Sequence, residues 1–170
     1  MPAASLWLYS NMTTMERSAV ISDDGLYRYR LTRTWALGPR VTFVMLNPST
    51  ADADVDDPTL RRCMGFASSW GFGGLDVVNL YAYRTPSPNV LRSAGYPVGP
   101  ENERYLREAG ESGDLLIAAW GGNAQDSRVR EVLALPGFER LRCLKVTKHG
   151  QPSHPLFLRK DLQPVPWQAL

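Results

Sequence analysis

Two asparagines, a glycine pair and a histidine occupy the places in this chain where chemistry is easiest to build. Asn47-Pro48 closes the apolar run Val41-Thr42-Phe43-Val44-Met45-Leu46 and is followed by Ser49-Thr50. Asn79 closes Leu75-Asp76-Val77-Val78. Gly121-Gly122-Asn123 follows Leu115-Leu116-Ile117-Ala118-Ala119-Trp120, and His154-Pro155 stands beyond the last apolar run at 141–146. A carboxamide carries both a donor and an acceptor, so it can read a polar planar edge or hold a water. An imidazole can donate a hydrogen bond to developing negative charge. In open α/β sheets ligands sit at the carboxyl ends of strands. Amides, small residues and an imidazole placed after four apolar runs therefore predict one shared crevice.

Other arrangements are poorer sites. Asp52, Asp54, Asp56 and Asp57 are not followed by the glutamate of a calcium loop, and a helix-capping loop accounts for them better. Gly71-Phe72-Gly73-Gly74 precedes a strand rather than a helix, which makes it a poor phosphate cradle. Ser68, Ser69 and Ser127 lack the strand-to-helix elbow of a nucleophile. His149 and His154 have no carboxylate or thiolate nearby in sequence to complete a zinc site. Cys63 and Cys143 show neither metal-like nor redox spacing. No metal and no cofactor are expected.

The elements that must position these residues are legible as alternating strands and helices. Residues 26–35 alternate, with Tyr27, Tyr29 and Leu31 opposed to Arg28, Arg30 and Thr32, as in a half-exposed strand. Gly38-Pro39 turns the chain into the strand at 41–46. Asp57-Pro58 opens a helix by cap and first-turn proline, with Leu60, Met64 and Ala67 on one face. Strands are predicted at 75–80, 114–120 and 141–146, helices at 100–109 and 127–135, and a loop at 85–89. This alternation predicts an α/β fold, a three-layer α/β/α domain on a mainly parallel four-stranded central sheet. Residues 16–170 are expected to form one domain, and 1–15 a possible extension, because Met12 and Met15 are plausible alternative starts.

Composition bounds the partners. The 170 residues are 44% hydrophobic and 21% charged, ordinary values for a globular protein. No run is long enough to cross a bilayer, and the start lacks a basic leader, so a cytoplasmic protein with no membrane partner is expected. The net charge of +2 hides an asymmetry. Arg140, Arg142, Lys145, Lys148, Arg159 and Lys160 fall in a stretch without a single acid. That pattern suits a polyanion-binding edge, and equally a solvated surface.

Taken in order, these motifs resemble the uracil-DNA glycosylase superfamily over about residues 41–158. Asn47-Pro48 is similar to its first motif, and Val77-Val78-Asn79-Leu80 to the strand whose asparagine reads the base. Tyr83-Arg84-Thr85-Pro86 with Asn89 resembles the arginine–proline run of the iron–sulfur branches. Leu116-Ile117-Ala118-Ala119-Trp120-Gly121-Gly122-Asn123-Ala124 and His154-Pro155-Leu156-Phe157-Leu158 resemble the two later motifs. The chain departs at Met45, where the family usually has glycine, and at Leu156, where it has serine or tyrosine. The four cluster-binding cysteines are absent, so no iron–sulfur cluster is expected. The chain also resembles a small bacterial and phage family known only as a domain of unknown function, a kinship that carries no activity.

The resemblance implies a uracil-DNA-glycosylase-like fold and hydrolysis of the N-glycosidic bond of an uracil-like or modified base in DNA. Asn47 would hold the water and His154 would steady the leaving base. Asn79 would read that base, with Pro48 and Ser49 beside it. Phe66 is the choice for a stacking platform, against simple core packing. Arg84, Gly121, Gly122, Asn123, Lys148 and Pro155 would meet the DNA. A glycosidase of a free nucleoside or nucleotide, and a non-catalytic nucleic-acid-binding protein, remain as alternatives.

Overall fold

A computed structural model describes residues 14–168. The expected N-terminal extension and its alternative start at Met12 therefore lie almost wholly outside the described residues. Among the described residues, seven strands and four helices are ordered β1 (Glu16–Ile21), β2 (Arg28–Thr34), β3 (Arg40–Met45), α1 (Pro58–Ser69), β4 (Gly74–Asn79), α2 (Pro88–Ser93), α3 (Asn102–Ser112), β5 (Leu115–Ala118), α4 (Asp126–Leu133), β6 (Arg142–Cys143) and β7 (Val165–Pro166).

The strands form one sheet in the order β1-β2-β4-β3-β5-β6-β7. The β4–β3, β3–β5 and β5–β6 pairs are parallel, whereas β1–β2, β2–β4 and β6–β7 are antiparallel. This overturns the expected fold class. The sheet is a mixed, seven-stranded one rather than a mainly parallel four-stranded sheet of uracil-DNA-glycosylase type. The physical reason lies in the edges. β1 begins Glu16-Arg17-Ser18 and is exposed there, so it offers no apolar alternation to read. β7 holds Pro166, which suits an edge because no N–H is required of it. The apolar run at 141–146 yields only a two-residue ladder, since Val146 turns away to bridge Pro152.

The inner strands carry the core. From Val41 to Met45 every residue of β3 is buried, so polar alternation is absent there. Phe43, Val77 and Ile117 face Cys63, Phe66 and Ala67 of α1. Val44, Val78 and Leu116 face the other way, toward Leu106 of α3 and Val132 of α4. Asp57 caps α1 by accepting from the Leu60 amide at 2.7 Å, with Pro58 in the first turn. The chain leaves that helix through Gly71 at φ +86°, a left-handed conformation that favours glycine. The predicted loop at 85–89 instead leads into α2, because Ser87 accepts from the Val90 amide and Pro88 starts the helix.

β2 departs from its simple alternation. Its pairing with β1 shifts register between Val20 and Ile21, so that Val20 opposes Arg30 and Ile21 opposes Arg28. Tyr29 consequently packs with Tyr105 on one face, while Leu31 joins Phe43 and Val77 on the other.

Candidate functional site at the carboxyl ends of β3, β4 and β5

Strand register brings the predicted residues to one end of the sheet. Met45 pairs with Asn79, and Val44 with Ala118, in parallel ladders. Asn47, Asn79 and Gly121 therefore leave the sheet on the same side. The loop carrying His154 is tied to that side, because the Gly121 amide donates to the Pro152 carbonyl at 2.8 Å. Gly121 has φ +74°, and a Cβ built on it would lie 3.8 Å from the His154 Cβ.

Asn47 is oriented by its surroundings. Its Nδ2 donates to the carbonyls of Pro48, Tyr83 and Thr85 at 3.1, 3.1 and 2.9 Å. Three acceptors around the nitrogen leave no ambiguity about which end of the amide is which. The side chain thus ties the loop after β3 to the loop after β4 and keeps its Oδ1 out of those bonds. Pro48 is buried and Ser49 half-buried beside it.

Asn79 presents the opposite case. It has no solvent exposure, and neither Nδ2 nor Oδ1 has a hydrogen-bond partner among the described residues. Its main-chain carbonyl is satisfied by Asn102 Nδ2 at 2.9 Å. A buried amide without partners costs about 1–3 kcal/mol, so its presence asks for a ligand or a role.

His154 accepts at Nδ1 from the Leu156 amide at 3.2 Å. That bond leaves the proton on Nε2, which is then the donor. The residue is reached by solvent, yet surrounding protein displaces enough water to lower its pKa, an effect that the charge of Asp57 partly offsets. The histidine is therefore a neutral donor at pH 7.

Three neighbours were not singled out from the sequence. Arg28 is 4% exposed, donates from Nη1 to the Ala51 carbonyl at 2.8 Å, and has no partner for Nε. Burial lowers its pKa to about 10, with Asp57 and Asp52 opposing that shift and Arg84 and Arg33 adding to it. Cys63 is buried, and its thiol pKa is raised by burial first and by Asp57 second. Asp57 thus acts electrostatically on Arg28, Cys63 and His154 together. The register shift in β2 concealed Arg28, which simple alternation assigns to the polar face. Phe157 is the third: it is 92% exposed at φ +69°, two residues past Pro155, within the His154–Leu158 motif but with no role read for it from the sequence.

The predicted DNA contacts disperse. Arg84 is half-buried, donates from Nη1 to the Gly25 carbonyl at 3.2 Å, and has an unpartnered Nε, so it is not a free surface cation. Arg140 closes on the Gly113 and Gly110 carbonyls at 2.9 and 2.6 Å. Arg159 is paired with Asp161 at 2.6 Å. Lys148 is exposed in the turn that leads to Gly150, and Pro155 is buried. Gly122 and Asn123 are exposed at the turn after β5, and Gly122 lines a cleft with His149 and Trp167. Phe66 is 2% exposed and stacks on Trp70 with centroids 5.6 Å apart, which is core packing, although it also floors a cleft described below.

Among the described residues, no group of three or more His, Cys, Asp or Glu side chains can hold a metal ion. No described helix is long and apolar enough to cross a membrane. The sequence profile of the family described as "Protein of unknown function (DUF1643)" matches residues 28–156. No curated protein and no solved structure matches the chain. None of these comparisons links it to the uracil-DNA glycosylase superfamily.

Proposed function

The chain belongs to this DUF1643 family, and we propose that it hydrolyses the N-glycosidic bond of an uracil-like or modified base in DNA. The observation that carries the reading is Asn79: a fully buried carboxamide, donor and acceptor both unused, at the end of β4. A nucleobase edge with a carbonyl beside an N–H would satisfy both groups at once. The order Asn47-Pro48, Asn79, Gly121 and His154-Pro155, with its likeness to the uracil-DNA glycosylase motifs, supports the same reading.

The chemistry follows from these groups. As the bond between sugar carbon and base nitrogen breaks, its electron pair leaves with the base and positive charge grows on the sugar. A water oxygen then bonds to that carbon, and the proton it loses passes through solvent to the departed base anion, which leaves as the neutral base. Asn47, its amide oriented by three carbonyls, places this water through Oδ1. Neutral His154 donates from Nε2 to a base carbonyl as charge accumulates there. Neither group is a strong base, so the rate enhancement is electrostatic and positional.

Single-turnover incubation with DNA strands carrying uracil, hypoxanthine, xanthine or a hypermodified pyrimidine, read by alkaline cleavage at abasic sites, tests the proposal. One of these bases should be excised, and Asn47→Ala should slow that excision by about a hundredfold or more. Absence of an abasic product from every strand, with folded protein in excess, would remove this reading. One observation favours a free nucleoside or nucleotide as the substrate instead. Arg84, Arg140 and Arg159 already have partners within the protein, which leaves fewer cations for a long polyanion.

A further inference from the structure

The helix α1 and the segment after His154 enclose a cleft of about 590 Å³ that no predicted site includes as a whole. Pro58, Arg61, Arg62, Gly65, Phe66 and Ser69 line it from the helix, and Leu156 and Lys160 from the opposite wall. The helical positions recur at intervals of three and four, so a single stripe of α1 faces the opening. The lining carries three cations and no carboxylate. Arg61 and Lys160 are exposed, and Arg62 lies with its guanidinium 5.5 Å from the centroid of Phe66. Arg62 Nε is shielded from water and makes no hydrogen bond. A Cβ added to Gly65 would meet nothing within 4 Å, so the middle of the cleft is open.

An apolar floor under three cations fits a ligand that is both anionic and planar. The volume is that of a small-molecule site, large enough for a nucleotide unit. Of the lining residues, Pro58 follows Asp57 in the chain and Leu156 donates its amide to His154 Nδ1 at 3.2 Å, which links the cleft to the site above. We infer that this cleft holds the single nucleic-acid strand next to the reacting nucleotide, with Arg61, Arg62 and Lys160 on its phosphates. The inference rests on the proposed function for the identity of the polyanion. It moves the electrostatic grip from Arg84 and the 140–160 stretch to the face of α1. A strand suits the cleft better than a free mononucleotide, because the cleft is open and its cations stand on both walls. Arg61 donates to the Asp56 carbonyl at 3.1 Å, but none of the three cations is in an ion pair among the described residues, and that charge is what a strand would neutralise.

Binding of a short labelled DNA strand without any modified base, followed by fluorescence anisotropy across salt concentrations, tests this without requiring catalysis. Exchanging Arg61, Arg62 and Lys160 together for glutamine should flatten the dependence of log affinity on log salt by about two units. The pair Lys145→Gln and Lys148→Gln, outside the cleft, should change it less. If the triple variant fails to fold by circular dichroism, Lys160→Gln alone, at an exposed position, should flatten the slope by about 0.7 unit. An unchanged slope in the cleft variants, or an equal effect of the outside pair, would overturn the inference. So would loss of deoxyuridine monophosphate binding with strand binding intact, which would assign the cleft to a free nucleotide. Strand binding through the cleft with no excised base would leave the inference standing and end the glycosidase reading. Excision with binding indifferent to the cleft would do the reverse.

Discussion

Asn47 and Asn79 share a residue type and stand at equivalent strand ends, yet their hydrogen bonding is opposite. Asn47 uses its nitrogen on three carbonyls and stitches two loops together. Asn79 uses nothing among the described residues. Replacement of Asn79 should therefore affect ligand recognition far more than folding. Asn79→Leu exchanges an unpaired buried amide for an apolar group of similar size, so urea unfolding should show unchanged or increased stability, by up to about 1 kcal/mol. Base preference should change in the same variant. A loss of several kcal/mol would mean that the amide is satisfied internally and reads no ligand. His154 supplies a second residue-level expectation. Its pKa in the folded protein lies below the ordinary 6.5 because burial disfavours the charged form. The unfolded chain consequently binds its proton first as pH falls. This contribution to stability is complete above 6.5 and is lost as pH falls through the folded value. His154→Gln should make unfolding less sensitive to pH on the acid side of 6.5, measurable by urea denaturation at stepped pH.

At the scale of elements, the loop between β3 and α1 owes its shape to arginines of β1 and β2. Arg33 has no exposed side-chain surface, pairs with Asp56 at 3.0 Å, and donates to the carbonyls of Thr32, Asp52 and Val55. Arg17 reaches the same Asp56 oxygen at 3.0 Å, and Arg28 holds Ala51. The hairpin therefore positions the loop that delivers Asp57 to the cap of α1 and to the site. Arg33→Ala would strand several buried carbonyls and a carboxylate, costing on the order of 3 kcal/mol in chemical denaturation. Arg17→Ala removes a partly exposed pair and should cost about 1 kcal/mol or less. Equal losses in the two variants would contradict this division of labour. The acidic loop was readable as a helix cap in the sequence, and Asp57 performs that role. The arginines that hold it were not, because their partners, the Asp56 carboxylate and main-chain carbonyls of the loop, lie distant in sequence.

For the whole molecule, burial of both cysteines gives a simple check. Cys63 and Cys143 are free and buried, and desolvation raises both thiol pKa values. Thiol reagents attack the thiolate, so neither should react with a disulfide reagent at pH 8 until denaturant opens the core. Rapid modification of Cys63 in the native protein would show that the α1 face of the sheet is not closed, and of Cys143 that the opposite face is not. The same closure explains how α1 can present two faces at once. Cys63 and Ala67 seal the core, while Arg61, Arg62 and Gly65 line the outer cleft.

Local physics was sufficient for much of this protein. Continuous apolar runs identified β3, β4 and β5, because strands covered on both faces need no polar alternation. Asp57-Pro58 marked the start of α1, and amides and small residues after the apolar runs marked the sheet end where the candidate site lies. What only the tertiary structure decided was pairing and satisfaction. Sequence alternation does not say which edge a strand pairs with, and the exposed β1 and the two-residue β6 and β7 carry too little apolar pattern to be counted. The mixed sheet follows from those strands. The register shift in β2 moved Arg28 into the interior against its alternation. Whether an arginine meets solvent, a carbonyl or a carboxylate is a question of distant neighbours. That is why Arg84 and Arg140 proved turned onto carbonyls of the protein while Arg61, with one such bond to Asp56, lines the open cleft with Arg62 and Lys160.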